Sequence, residues 1–187
     1  MGLARAGLRR DILGSLAITG AVALIAFGLP FVDHLIPDSQ PVTPGKQYQV
    51  GGGVTLAPPA GASLNVTRTR PGLDQGTALF MVEGVRVAVV VTPYRKGLDA
   101  AAARLRSKIV RLGDAAVTGG EAPVTTAAGV AGRMGGYGES GRAGTYAVFV
   151  ADGHSAEVTA SGSESDMARL RPELDLMVRS VSFGGGP

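Results

Sequence analysis

The hydrophobic pattern of the chain begins with an unbroken apolar run of 21 residues, Ile12–Val32, that contains no ionisable side chain. As a helix this run would be about 31 Å long, which matches the hydrocarbon core of a bilayer. Residues 1–11 hold three arginines, whereas the residues that follow the run are acidic, so the positive-inside rule places the N-terminus in the cytoplasm. The sequence therefore predicts a single-pass plasma-membrane protein, held in the lipid bilayer by residues 12–32, with an extracytoplasmic C-terminal domain.

A cleaved signal peptide is the alternative, because Ala21-Val22-Ala23 fits the small-residue pattern of a cleavage site. The apolar run continues past that site, which favours an uncleaved anchor, but cleavage after Ala23 stays open. Residues 33–46 contain three prolines and no periodicity, and they predict an extended linker. A folded domain is expected over residues 47–183, followed by a flexible tail at 184–187.

Within the domain, apolar and polar side chains alternate in short segments that are typical of strands. Two pairs of segments flank the turns Glu83-Gly84 and Asp152-Gly153 and predict β-hairpins. Further along, residues 124–138 are rich in glycine and are expected to be extended. The predicted strands are Gly53–Leu56, Ala62–Arg68, Ala78–Val82, Val85–Thr92, Val124–Gly138, Thr145–Ala151, Ser155–Ala160 and a last short strand at Val181–Phe183.

Two segments have helical periodicity. Leu98–Leu112 places its large apolar side chains in one stripe, with Asp99 in the first turn and Gly113 after the end. Near the C-terminus, Ser163 is a predicted N-cap, and a helix is expected to restart near Pro172. The order of elements predicts an α+β fold, in which a mainly antiparallel sheet packs with two helices.

Charge and cysteine content restrict the function of this domain. Three of the 18 Lys and Arg residues and one of the 15 Asp and Glu residues precede the apolar run, so residues 33–187 carry a net charge of only +1. A nucleic-acid partner is therefore not expected. The chain contains no cysteine, which excludes disulfides and a lipid-modified cysteine anchor. The preference for arginine over lysine, with abundant Ala, Gly and Val, indicates a bacterial source with a GC-rich genome.

No group of side chains predicts catalysis, a cofactor or a metal. Gly136–Gly141 matches G-x-G-x-x-G, but a dinucleotide site needs a helix after the motif, and here a strand follows, so a flexible hairpin connection is expected. His34 falls in the linker and His154 at a turn, where neither is held as a catalytic triad requires. Nothing in the pattern fixes a carboxylate pair among Asp74, Glu83, Glu121 and Glu157.

A cationic helix flank is the candidate surface for contact with a partner. Arg104, Lys108 and Arg111 recur at helical spacing along one flank of Leu98–Leu112, and Arg95 and Lys96 lie just before it. No acidic residue within the helix lies one turn away from them to neutralise this flank. The functional interpretation is a contact for anionic lipid headgroups or an acidic partner, and the alternative is an ordinary solvated helix flank.

Three short sequence segments resemble segments of proteins that have the PsbP-like fold. They are Gly53-Val54-Thr55-Leu56 running into Pro59-x-Gly61, then Thr126 to Gly129, and Met177–Phe183 at the close. In this respect the chain is similar to single-pass or lipid-anchored actinobacterial envelope proteins with a PsbP-like ectodomain, including the mycobacterial LpqN-type lipoproteins. The resemblance implies a non-catalytic accessory role at the cell envelope and brings no catalytic residues.

The sequence thus predicts a membrane-anchored binding or assembly protein of the bacterial cell envelope, which is not an enzyme. Its partner is expected to be a membrane or envelope protein. The alternative is an envelope small-ligand-binding protein or a hydrolase with a pocket that the sequence does not reveal.

Overall fold

The computed structural model describes residues 38–112, 115–139 and 141–184. Within these ranges, no helix combines the length and the apolar character needed to cross a membrane. The predicted span at residues 12–32, the cytoplasmic tail at 1–11 and most of the tail at 184–187 lie outside the described residues.

An eight-stranded antiparallel sheet forms the centre of the domain, in the order β1-β4-β5-β6-β10-β9-β8-β7. Strands β2 and β3 form a separate two-stranded sheet. The strands are β1 Ser39–Pro41, β2 Tyr48–Gly51, β3 Val54–Leu56, β4 Ser63–Asn65, β5 Gly76–Val82, β6 Val85–Pro93, β7 Ala116–Thr125, β8 Ala131–Glu139, β9 Arg142–Ala151 and β10 His154–Gly162. The helices are α1 Leu98–Leu112, α2 Glu164–Arg169 and α3 Arg171–Arg179.

Both predicted hairpins are confirmed, and their turns explain why the sequence specifies them so clearly. Glu83 and Gly84 have φ angles of 44° and 86°, and Asp152 and Gly153 have φ angles of 49° and 75°. Two consecutive positive φ values are the signature of the type I′ turn, whose twist matches that of the flanking strands. The turns therefore fix the registers of β5–β6 and β9–β10.

One face of the large sheet is covered by β2, β3, α2 and α3. The alternate valines Val85, Val87, Val89 and Val91 of β6 all point into this layer and are at most 1 % exposed. They share one continuous core with Phe80, with the two-stranded sheet and with the apolar side chains of α2 and α3. This layer supplies most of the hydrophobic burial that stabilises the domain.

On the opposite face, the part of the chain that the structure describes places only α1, which packs over β7, β8 and β9 and reaches β10 with Arg104 and Lys108. Ala101, Ala102, Leu105 and Ile109 are its buried side chains, and they pack on Tyr146 and other residues of β9. On this face the described residues place no helix over β4, β5 and β6. The α+β prediction is therefore confirmed, with the sheet sandwiched between helices along part of its width.

The C-terminal helices begin where the sequence indicates. The Ser163 side-chain oxygen accepts a hydrogen bond from the Asp166 backbone amide at 3.1 Å, which caps α2. Pro172 lies in the first turn of α3, where its missing amide costs no hydrogen bond. The described residues form three helices rather than the two predicted, because Glu164–Arg169, before the restart near Pro172, is a short helix of its own.

Several segments differ from the sequence prediction: β2 was not predicted, and the strand predicted at Ala62–Arg68 is shortened to Ser63–Asn65. Ser39–Pro41 lies in the predicted linker but pairs with β4, so the sheet takes in residues before 47. β7 was not predicted, and it occupies a mostly exposed sheet edge, so its side chains do not alternate. The last predicted strand, Val181–Phe183, is reduced to an isolated bridge between Ser182 and Thr55.

Two leucines of α3 test how this helix packs. Leu174 is 5 % exposed and Leu176 is 69 % exposed. We expect Leu174→Ala to lower the free energy of unfolding by about 2–5 kcal/mol through lost burial and a residual cavity. Leu176→Ala should change it by less than about 0.5 kcal/mol. Urea denaturation of both variants checks this, and equal losses would contradict the packing.

Candidate functional site

The predicted cationic flank of α1 lies over a buried carboxylate. Glu157 on β10 is only 4 % exposed, yet its two oxygens reach Arg104 Nη2 at 2.6 Å and Lys108 Nζ at 3.3 Å. A carboxylate removed from water is costly unless it is paired and hydrogen-bonded. Two of the five predicted contact residues are therefore engaged in neutralising a charge inside the fold.

Arg104 has further partners that fix its guanidinium group. Its Nη2 atom donates to Ser155 Oγ at 3.2 Å, and Ser155 Oγ in turn lies 3.2 Å from Thr92 Oγ1. The guanidinium carbon lies 4.6 Å from the ring centroid of Tyr94, in cation–π geometry. This side chain is held by β6, β10 and the segment between β6 and α1, and 42 % of it stays exposed.

The other three predicted contact residues remain on the surface. Arg95, Lys96 and Arg111 are exposed, and within the described ranges no carboxylate lies within ion-pair distance of them. Arg111 donates its Nε–H to the Ser107 carbonyl of the preceding turn. The five residues thus separate into a half-exposed pair that binds Glu157, a pair in the segment before α1, and one arginine at the end of the helix.

A second polar cluster lies on the same face and was missed in the sequence. Arg106 Nη1 lies 2.6 Å from Glu121 Oε2 on β7, and the Tyr146 hydroxyl of β9 donates to Glu121 Oε1 at 3.0 Å. Burial, and then the bond to this carboxylate, raise the pKa of Tyr146 to about 12. The phenol therefore stays protonated in the physiological range and acts as a hydrogen-bond donor. Because the three residues lie on separate elements, the cluster cannot be predicted from the spacing of residues in the sequence.

The glycine-rich segment has a packing explanation. Gly136, Tyr137 and Gly138 lie within β8, in agreement with the strand predicted over Val124–Gly138, and the hairpin connection expected for the motif begins only after Glu139. The neighbouring Gly135 faces Tyr146, and a Cβ atom at position 135 would lie 2.5 Å from the tyrosine hydroxyl oxygen. Tyr137 similarly lies across Gly144 and donates from its hydroxyl to the Ala160 carbonyl at 3.2 Å. The glycines make room for the buried ring of Tyr146 and the partly buried ring of Tyr137, and they do not form a phosphate-binding loop.

A groove runs beside α2 and α3 on the other face of the sheet. Its volume is about 440 Å³, and small residues of β7, β8 and β9, such as Gly136 and Ala143, form its floor. Met167 and Leu174 contribute apolar wall, while Glu164, Arg171 and Asp175 supply its charged groups. The arrangement offers an apolar trough with charged helix residues, without a nucleophile and base placed together.

His154 is held in a way that the sequence did not indicate. Its Nε2 atom lies 3.1 Å from Asp74 Oδ1, and its Nδ1 atom lies 3.0 Å from the Asp152 carbonyl oxygen. The hydrogen bond to Asp74 is the main reason that the pKa of His154 is raised above its usual value. The pair joins the turn between β9 and β10 to the loop before β5. Across the described part of the chain, no three His, Cys, Asp or Glu side chains are grouped to hold a metal ion.

Comparison with known proteins supports the fold and leaves the family open. No protein-family model matches the chain, and no curated protein matches its sequence. Sixteen chains of solved structures are similar to it. One is the solution structure of cyanobacterial PsbP (CyanoP) from Synechocystis sp. PCC 6803, with a TM-score of 0.55, 12 % sequence identity, and coverage of 74 % of this chain and 91 % of that one. The predicted PsbP-like fold is confirmed, whereas the narrower resemblance to actinobacterial LpqN-type proteins stays a prediction.

Two of the ion pairs, one with a buried carboxylate and one with an exposed carboxylate, should differ in how much they stabilise the domain. Glu157→Gln should lower the free energy of unfolding by about 1–3 kcal/mol, because Arg104 and Lys108 lose the carboxylate that they share. Asp99 is 85 % exposed and pairs with Arg133 at 3.1 Å, so Asp99→Asn should cost less than about 0.5 kcal/mol. Chemical denaturation compares the two variants; an equal cost would show that Glu157 is solvated.

The contact between Gly135 and Tyr146 predicts that two Gly→Ala substitutions differ in their effect on stability. Gly135→Ala should destabilise the domain by about 1–3 kcal/mol, because the new methyl group displaces a ring that is buried and hydrogen-bonded. Gly120→Ala is the control, since nothing lies within 4 Å of a Cβ atom built there. Thermal unfolding measures both, and an unchanged transition for Gly135→Ala would refute the packing described for the glycine-rich strand.

The link between His154 and Asp74 predicts a pH dependence. Because the pKa of His154 is raised in the folded state, its stabilising effect is complete below the unfolded pKa and is lost as the pH rises through the folded value. The stability lost in Asp74→Asn should therefore be larger near pH 5 than near pH 8, the range in which histidine titrates. Replacing His154 by Asn should abolish this difference, whereas His34→Asn should leave it unchanged. A loss of stability that is the same at both pH values would exclude the charged pair.

Proposed function

We propose that this protein is a membrane-anchored, extracytoplasmic accessory module of the bacterial cell envelope, which binds or assembles with an envelope partner and has no catalytic activity of its own. One observation carries the proposal. The two strand carboxylates that the structure describes on the α1 face are committed to ion pairs with this helix, Glu157 to Arg104 and Lys108, and Glu121 to Arg106. What this leaves for function is the surface of the domain.

The membrane part of the proposal rests on the sequence. The 21-residue apolar run ends at Val32, and only six residues separate it from the first strand at Ser39. A span of this kind would hold the domain beside membrane proteins and raise its local concentration there. Binding energy from a modest contact surface would then be sufficient for a working interaction.

The outer surface of α1 is the contact surface that fits best. Val110 is 52 % exposed on this helix, and Arg111 and Arg106 lie beside it along a shallow groove. An exposed apolar side chain between cations is typical of a site for an acidic partner with some apolar character. The neighbouring Arg104 and Lys108 add positive potential even though Glu157 partly neutralises them.

Three measurements on the full-length protein test this function. If the anchor is real, carbonate washing leaves the protein in membranes, and a tag at its C-terminus is protected from a cytosolic protease. Release by carbonate, or a cytosolic tag, would overturn the proposal.

A photo-crosslinker at position 110 should then give a defined adduct in membranes, whereas one at Leu176 on the opposite layer should not. Adducts from neither position would refute the α1 surface.

A small-ligand-binding function is the second candidate, and the groove beside α2 and α3 is the observation that favours it. Its volume of about 440 Å³ falls within the range of ligand sites in proteins. Native mass spectrometry of the purified protein would show a retained small molecule, and Ala143→Leu should release it by filling the floor. A protein that carries no ligand in extracts of its own membranes would rule this candidate out.

A further inference from the structure

A leucine at the tip of a surface loop is the most exposed large apolar side chain among the described residues. Leu73 is 97 % exposed, compared with 69 % for Leu176 and 52 % for Val110. It lies in the loop that leads into β5, between Arg70 and Gly76. A fully exposed leucine adds no hydrophobic stabilisation to the folded state, because no apolar surface of its side chain is removed from water.

The loop is nevertheless held in place by several hydrogen bonds. The Leu73 carbonyl accepts from the Gly52 amide at 3.0 Å, and the Gly72 amide donates to the Val50 carbonyl at 3.2 Å. Asp74 is bonded to His154 on the next-but-one strand of the sheet. The backbone on both sides of Leu73 is thus fixed, and its side chain is presented to the surroundings.

The loop belongs to one end of the large sheet. Gly76, where β5 begins, pairs with Val91, and Pro93, where β6 ends, pairs with His154. The loop before β5, the segment after β6 and the turn between β9 and β10 are therefore neighbours. Arg95 and Lys96, which have no carboxylate partner among the described residues, lie in the segment after β6.

The chain also enters the sheet from this end. β1 runs antiparallel to β4, and β4 runs antiparallel to β5, so β1 and β5 share one direction. Ser39 is consequently the residue of β1 that is nearest to the loop with Leu73. The predicted membrane span ends at Val32, and the steps from there to Ser39 reach at most about 25 Å when fully extended.

We propose that this end of the sheet rests on the bilayer surface, with the Leu73 side chain inserted into the lipid interface and Arg70, Arg95 and Lys96 beside the headgroups. The inference rests on the anchor proposed above and assigns the orientation of the domain on the membrane. Carboxylates lie at the same end, on Asp38, Asp74 and Asp152, so the local charge is close to balanced. Apolar insertion, rather than attraction to anionic lipid, is the main interaction, and the contact should persist at high salt.

The cysteine-free sequence allows a direct test on the full-length chain. Leu73→Cys, labelled with an environment-sensitive fluorophore, is reconstituted in nanodiscs of phosphatidylcholine with or without phosphatidylglycerol. We expect the emission to shift to the blue and to be quenched by spin-labelled lipids in both compositions. Val110→Cys is the control, because Val110 lies near the end of α1 that is far from the proposed contact. This helix starts after β6, at the contact end of the sheet, and it finishes before β7, which begins at the opposite end. The label at position 110 should keep an aqueous spectrum.

The outcomes separate this inference from the proposed function. An aqueous spectrum at position 73 in a protein that resists carbonate washing would overturn the orientation and leave the anchor intact. A blue shift at position 110, alone or together with position 73, would also overturn it. A shift at position 73 only in anionic nanodiscs, and lost at high salt, would refute apolar insertion. Failure to incorporate into nanodiscs, together with release by carbonate, would contradict the anchor itself.

Discussion

The pairing of one buried carboxylate with two cations constrains the arrangement of the domain. Glu157 lies on β10, the strand between β6 and β9 near the middle of the sheet, and its side chain points to the face that α1 partly covers. A charge in that position must be compensated, and Arg104 and Lys108 do so from successive turns of α1. The apolar stripe of α1 holds the helix on β9, while the ion pairs orient its cationic flank toward β10. The position of this helix is therefore set by charge as well as by hydrophobic burial.

This constraint changes the functional meaning of the cationic residues. A basic flank without acidic neighbours along the helix reads as a binding surface when only the sequence is considered. In the fold, the acidic partners come from strands: Glu157 for two of the cations and Glu121 for Arg106. The two surfaces proposed for contact are therefore the outer turn of α1 around Val110 and the sheet end that carries Leu73.

Much of the fold could be predicted because its strongest signals are local. The turns Glu83-Gly84 and Asp152-Gly153 and the apolar stripe of Leu98–Leu112 each define an element without reference to the rest of the chain. Edge strands are harder, since β1 and β7 have few buried side chains and gain their order from pairing with a neighbour. The site could be predicted only in part. The spacing on α1 identified Arg104 and Lys108, but Glu157 reaches them from β10. The cluster of Arg106, Glu121 and Tyr146 likewise joins three separate elements, and no spacing in a single sequence encodes such contacts.

The central claim is that Glu157 and Arg104 form a structural pair, and a double-mutant cycle tests it most directly. The variants Glu157→Gln, Arg104→Met and their combination are unfolded in urea under identical conditions. A structural pair predicts a coupling energy of at least about 1 kcal/mol, with the double variant more stable than the sum of the single losses implies. A coupling energy close to zero would contradict the account, because the two side chains would then be independent and free to serve a ligand.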